Sequence, residues 1–251
     1  MAIDSHMHIN KVVLSDKQKY IDDINNNPHL ESVVNVGLNI ETSREAIAIS
    51  KTNPKFYSTI GIHPLYIESQ DANELYHLAS DDKVLAIGEI GLDTSHDNLY
   101  EQKKYLLKQI IIANELKLPV IIHASNTNSL VIEIFEKYVK PKYGCVFHCF
   151  QPDLNILKYL VEQGYYISFV GQVSYKNAKK SIEVAQVIPD ELFLVETDSL
   201  YISPEPLRNE INKSANIQFI INRLAEIKNK SYSEIEEVTT QNTKRLFKRM
   251  K

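Results

Sequence analysis

A chain of 251 residues with 28 basic and 32 acidic side chains, formal net charge −4, is not one that coats nucleic acid through a basic surface. A hydrophobic share of 43% with 24% charged suits a globular chain long enough to bury a large core, expected here as one domain over residues 1–251. No apolar run reaches the length of a membrane span and no basic-then-apolar leader opens the chain, so no membrane partner and a cytoplasmic location are expected.

In chain order, eight short apolar stretches read as strands. They are "AIDSHMH" from Ala2, "SVVNVGL" from Ser32, "FYSTIGI" from Phe56, "VLAIGEI" from Val84, "PVIIHA" from Pro119, "GCVFHCF" from Gly144, "YYISFVG" from Tyr165 and "LFLVETD" from Leu192. Amphipathic segments separate them. Thr42 to Glu45 reads as a capping box, and Ser231 to Glu234 as another. A long helix from Tyr100 ends before Pro119, and one from Asn155 stops at Gly164. Eight strand–helix units predict an α/β fold, a (β/α)8 TIM barrel, and no Gly-x-Gly-x-x-Gly turn supports an open doubly wound sheet instead.

A barrel places its active site at the C-terminal ends of the strands. Those ends carry His6 and His8, then His63 in "GIHP", Glu89 in "GEIGLD", His123 in "IIHAS", His148 in "FHCF" and Asp198 in "ETD". The remaining histidines, His29, His77 and His96, fall in loops or helices and read as surface residues. Ser5-His6-Met7 resembles a cloning remnant, but the strand continues through it in step with the others. Side chains alternate along a strand, so His6 and His8 share a face. One buried histidine is ordinarily a hydrogen-bonded core residue. Several imidazoles converging with two carboxylates need a counter-charge, because unpaired burial costs several kcal/mol per group. Metal ions supply it.

A nitrogen and oxygen donor set suits Zn²⁺, Mn²⁺, Fe²⁺ or Mg²⁺. Six candidate ligands exceed one tetrahedral site, so two ions sharing a carboxylate are expected, an arrangement suited to hydrolysis by an activated water. Cys145 and Cys149, four residues apart on a strand, stand too far from each other for a disulfide or a shared ion and are expected as reduced thiols packed toward the helices. Lys176, beside Lys179 and Lys180 after the seventh strand, is a candidate phosphate contact. Glu196 and Asp4 read either as partners of ligand histidines or as structural carboxylates, and Tyr66 either stacks on a base or packs in its loop. No exposed apolar stripe suggests an oligomer or an obligate protein partner.

In order and spacing, "DSHMHI", "GIHP", "AIGEIGLD", "LPVIIHAS", "FHCF", "ISFVGQVSYKNA" and "VETDSLYISP" resemble the TatD family of metal-dependent deoxyribonucleases in the amidohydrolase superfamily. The resemblance runs through "EVTTQNTKRLF" and implies a TIM barrel with two divalent ions, Mg²⁺ for activity with Mn²⁺ or Zn²⁺ as alternatives. It implies that His6, His8 and Asp198 hold one ion, that His123 and His148 hold the other, and that Glu89 bridges them. Asp198 would be general base and His63 would hold the substrate phosphate, with Arg208 and Asn212 roughly matching family positions near the substrate. The implied activity is a 3′→5′ exonuclease on single-stranded DNA. The chain departs from the family where "HASNTNS" lacks an arginine, where Thr94 follows Asp93, and in "LRNEINKSA". An ester or amide hydrolase, such as a D-aminoacyl-tRNA deacylase, is the alternative, and a binding protein that kept the fold is a third.

Overall fold

The computed structural model describes residues 1–251, the Leu14 side chain apart. Among the described residues eight parallel strands run in sequence order around one sheet. They are β1 (Ala2–Met7), β2 (Leu30–Val36), β3 (Phe56–Ile60), β4 (Val84–Asp93), β5 (Val120–Ser125), β6 (Cys145–Phe147), β7 (Tyr166–Phe169) and β8 (Phe193–Val195). The helices alternating with them are α1 (Leu14–Asn25), α2 (Ile40–Thr52), α3 (Glu74–Leu78), α4 (Leu99–Leu116), α5 (Asn128–Lys137), α6 (Leu154–Glu162) and α7 (Lys179–Val187). Two more, α8 (Ile217–Lys228) and α9 (Tyr232–Leu246), follow β8. This is the (β/α)8 barrel that the alternation predicts.

Local chemistry sets the element ends. α9 starts at Ser231, whose side chain and that of Glu234 form the expected capping box. α2 differs: Asn39 is its N-cap and Thr42 sits at the third helical position, so the box lies three residues earlier than Thr42-x-x-Glu45 suggests. Asparagine is a stronger N-cap than threonine, and its side-chain oxygen takes the Thr42 N–H at 2.8 Å. α4 ends with Lys117 in the left-handed region, two residues before Pro119, and Gly164 at φ 68° follows α6.

Strands β6 and β8 are shorter than their apolar runs. The chain leaves the ladder at Phe147 and Val195, so His148 and Asp198 lie on the segments just past the strand ends. The ring is completed between β1 and the segment after β8. Asp198 N–H donates to the His6 carbonyl at 3.0 Å, His8 N–H to the Ser199 carbonyl at 2.9 Å, and Ser5 Oγ to the Val195 carbonyl at 2.9 Å.

Two apolar clusters hold the layers together. The larger lies between the strands and the helices and includes Cys145. The smaller draws on every strand, with Ile3, Val34, Tyr57, Leu85, Ile121, Val146, Tyr166 and Leu194, and so fills the barrel interior. Phe247 and Met250, past the end of α9, join it as a plug, and burying a phenylalanine fully is worth roughly 1.5–3 kcal/mol. No helix among the described residues is long and apolar enough to cross a membrane.

Asp4 belongs to this framework. Its carboxyl takes the Thr197 N–H at 2.9 Å and the Thr197 hydroxyl at 2.6 Å, tying β1 to the chain beyond β8. Of the two readings open to Asp4, the structural one describes these contacts. Burial pushes this carboxyl up to about 7. Between its unfolded value of about 4 and the folded value, the folded chain therefore keeps a proton that the unfolded chain has lost, and stability falls as pH rises. In metal-free protein, urea unfolding at about pH 5 and about pH 8 should show wild type losing roughly 3 kcal/mol more than Asp4→Asn, at about 1.4 kcal/mol per pH unit. Parallel curves for the two proteins would show that Asp4 does not titrate there.

Candidate metal centre

At the rim, six expected residues from five strands or their extensions converge. β1 and its extension bring the His6 and His8 Nε2 atoms to 3.1 Å from each other. Asp198 Oδ1 lies 3.3 Å from His8 Nε2 and 4.0 Å from His6 Nε2. Glu89, buried on β4, places Oε2 3.4 Å from His6 Nε2 and 3.7 Å from His8 Nε2. Its other oxygen, Oε1, stands 2.7 Å from His123 Nδ1 and 2.8 Å from His148 Nε2, and those two nitrogens are 3.4 Å apart. One carboxylate thus turns each oxygen toward a separate group of nitrogens.

These spacings fit divalent ions. Ligand atoms about 2.0–2.2 Å from a common ion stand roughly 3–3.5 Å from one another. Hydrogen bonding alone explains the site poorly. His8 Nδ1 faces the Val36 carbonyl at 3.3 Å, an acceptor only, so in the neutral ring Nε2 carries a lone pair directed at His6. His6 Nδ1 is buried without a hydrogen-bond partner. The cluster is also electrostatically coupled. Glu89 is held well below the usual carboxylate range: burial, the largest single influence, pushes it up, but His148, His63 and His123 together outweigh it. Asp198 is likewise lowered against burial, chiefly by His8.

His63 comes to the same rim with a different role. It caps the 3-10 turn Pro64–Tyr66, and its Nδ1 accepts the Leu65 N–H at 3.1 Å. Burial pushes the ring down to about 3, so it is neutral near pH 7 and its proton sits on Nε2. That N–H points into the site, 3.5 Å from Glu89 Oε1. It can donate a hydrogen bond there but cannot offer a lone pair to an ion.

Several partners are not evident from the sequence. Asp93, at the end of β4, accepts from His123 Nε2 at 2.9 Å and so leaves Nδ1 free to face Glu89. The His123 hydrogen bond is the main influence holding the Asp93 carboxyl far below its usual range. Such supporting carboxylates typically contribute 10–100-fold to metal affinity, so Asp93→Asn should weaken ion binding by roughly that factor in competition with a chelating dye. Unchanged affinity would remove Asp93 from the site. β4 approaches β5 closely enough that a Cβ on Gly91 would stand 1.8 Å from the His123 carbonyl oxygen, which requires glycine there.

Three fully buried carboxamides brace the backbone where the strands run out of ladder partners. Gln109 on α4 takes the Ile62 N–H at 2.7 Å and donates to its carbonyl at 3.1 Å, beside His63. Gln102 does the same for Asp93 at 2.8 and 3.0 Å. Asn212 donates to the Thr197 and Tyr201 carbonyls at 2.7 Å each, straddling Asp198. Asp198 itself adopts φ 49°, a left-handed conformation that aspartate tolerates better than most residues.

The other expected positions are placed as follows. Glu196 Oε1 is 3.3 Å from His148 Nδ1 and accepts the Cys149 N–H at 2.8 Å. Cys145 packs toward the helices as expected, and both cysteines are free thiols. Cys149 does not follow strand alternation: β6 has already ended, its φ is 45°, and burial together with the nearby Asp198, Glu196 and Glu89 carboxylates raises its thiol. His29, His77 and His96 are exposed. Lys176 and Arg208 are exposed and stand outside the lining of the cleft over Glu89; Arg208 instead stacks on Tyr175 at 4.1 Å. That cleft, about 360 Å³, is walled by Leu38, Leu65, Tyr66, Tyr201 and Ile202, with Lys11 at its edge. Tyr66 therefore faces the cleft and is 37% exposed.

Comparison with known proteins agrees with this geometry. Residues 3–248 match the family described as TatD related DNase. The chain is 31% identical to an uncharacterized metal-dependent hydrolase, YabD, of Bacillus subtilis, over 99% of each protein. It is 33% identical to an uncharacterized metal-dependent hydrolase of Buchnera aphidicola, covering 98% of this chain and 95% of the relative. Among solved structures, the TatD homolog YJJV of Escherichia coli superposes with a TM-score of 0.87 at 24% identity, over 98% of both chains. The barrel, the cluster of histidines and carboxylates at its rim, and the full-length match together make this chain a member of the TatD family of metal-dependent hydrolases.

Proposed function

We propose that the chain is a deoxyribonuclease that removes nucleotides from the 3′ ends of single-stranded DNA. The observation that supports it most is Glu89, with one oxygen toward His6 and His8 and the other toward His123 and His148. On this reading His6, His8 and Asp198 would hold one divalent ion, His123 and His148 would hold a second, and Glu89 would contribute to both. Bound Mg²⁺, or Mn²⁺ or Zn²⁺ in its place, would supply Lewis acidity toward the phosphate and lower the pKa of water from about 15.7 toward about 7.

The protein's own groups do the rest. Asp198 accepts the proton of the attacking water, as a lowered and therefore ionised carboxylate can. The water oxygen bonds to phosphorus, the bond from phosphorus to the 3′ oxygen breaks, and that oxygen takes a proton from solvent. His63 Nε2–H donates to a non-bridging phosphate oxygen, held in its tautomer by the Leu65 N–H. Leu38, Leu65 and Ile202 give the cleft an apolar wall beside the phosphate.

The test is end-labelled single- and double-stranded DNA incubated with protein and Mg²⁺, Mn²⁺ or Zn²⁺, with and without chelator. Stepwise shortening from the 3′ end, abolished by chelator, is expected. The largely apolar cleft wall also suits an acyl group, so intact DNA beside turnover of a D-aminoacyl-tRNA or another ester would replace this reading with the ester hydrolase.

A further inference from the structure

We infer that Lys11, held in place by Tyr66, is an anchor for one phosphate of the substrate next to the phosphate that is cleaved. The inference rests on the phosphodiesterase reading above and adds to it a named subsite and a phosphate count.

Lys11 ends the 3-10 turn Ile9–Lys11, three residues after His8, so the segment that brings a candidate ligand to the rim also brings this cation to the cleft. Its Nζ donates to the Tyr66 hydroxyl at 2.7 Å and lies 4.9 Å from the centre of the Tyr66 ring. Tyr66 in turn packs edge-on against His63, with ring centres 5.8 Å apart. These contacts place the ammonium on the side of the cleft that also carries His63. The flexible stem of a lysine ordinarily defeats such placement.

Its place sets this lysine apart, because others among the described residues that pair with no carboxylate, such as Lys176 and Lys213, lie outside the lining of this cleft. Lys17, Lys51, Lys228 and Lys230 each meet a carboxylate. Among the described residues Lys11 meets none; its partner is a neutral phenol, and two of its three N–H donors remain for another acceptor. It is also the one lysine or arginine among the residues lining the cleft. A cation left unneutralised beside a phosphate-cleaving centre, in a chain of net charge −4, is suited to an anionic group of the substrate.

One such cation holds one flanking phosphate. The exposed faces of Tyr66 and Tyr201, 37% and 51% accessible, stand on the same cleft and offer stacking surfaces to the attached bases. The enzyme would thus grip a strand by its last few nucleotides. Neutralising a single phosphate of a single strand gives a logarithmic salt slope of about −0.7.

The experiment measures kcat/KM for a ten-residue oligothymidylate and for bis(p-nitrophenyl) phosphate, which has no flanking phosphate, over a KCl series with Mg²⁺ fixed. Lys11→Met should lower kcat/KM on the oligonucleotide roughly tenfold more than on the small diester. It should also make the salt slope on the oligonucleotide shallower by about 0.7. Lys11→Arg should keep the slope. Equal losses on both substrates, or an unchanged slope in Lys11→Met, would overturn the anchor while leaving the phosphodiesterase in place. A wild-type protein that cleaves neither substrate would overturn the phosphodiesterase reading and the anchor with it.

Discussion

Glu89→Gln is expected to lower the metal content of the purified protein and to abolish measurable hydrolysis. The substitution keeps the size of the side chain and takes away its charge and one of its two acceptor oxygens. The remaining oxygen can face His6 and His8 or His123 and His148, not both, and the new amide N–H₂ would oppose an imidazole lone pair on the other side. Removing one partner from a buried charged set costs about 3–5 kcal/mol, which in ion affinity is roughly 10²–10⁴-fold. Elemental analysis after dialysis against a weak chelator checks this. Full retention of metal in the variant would show that Glu89 does not span the two groups of nitrogens.

Asp198→Asn should lower kcat by about 10²–10⁴-fold, the usual worth of a positioned general base. Asn keeps an oxygen near His8 but cannot accept the water proton. In wild type, Asp198 is held below the ordinary carboxylate range: burial, which raises it, is outweighed by its contact with His8. It stays ionised from neutral pH down to the lower edge of the ordinary carboxylate range, so it imposes no fall in rate between about pH 5 and 8. The measurement is kcat at saturating DNA, with metal content determined in the same samples. A variant that holds its metal and keeps wild-type kcat would assign proton transfer to another group.

Much of the fold was legible because parallel strands buried on both faces appear as apolar runs, and eight of them alternate with amphipathic segments. The rim histidines stood out for the same reason, since an imidazole at the end of an apolar run contrasts with its neighbours. Asp93 did not, because it closes a strand at "GLDTSH", where an acidic residue also suits a turn. Lys11 is one lysine among many, and only the fold brings it against Tyr66. Gln102 and Gln109 had a signal that could have been used: they lie seven residues apart on the face of α4 that also carries Leu106, Ile110 and Ala113, all buried. Polar residues on a core-facing stripe need partners, and theirs are backbone groups beside Asp93 and His63. The early end of β6 was invisible because Cys149 and Phe150 continue its apolar run, whereas β8 stops where Glu196, Thr197 and Asp198 turn the pattern polar. The backbone there is held by side chains instead of a ladder, as with the Cys149 N–H on Glu196.

The seam that completes the ring has a consequence for biosynthesis. His6 and His8 leave the ribosome long before Asp198 and Ser199, the residues whose backbone groups they bond. A growing polypeptide must hold β1 without this neighbour until Asp198 and Ser199 have been made, and contacts so distant in sequence form late and slowly. Loading of cations would then follow synthesis of Asp198, and a polypeptide truncated before that residue would pair β1 with β2 alone and leave its other edge open.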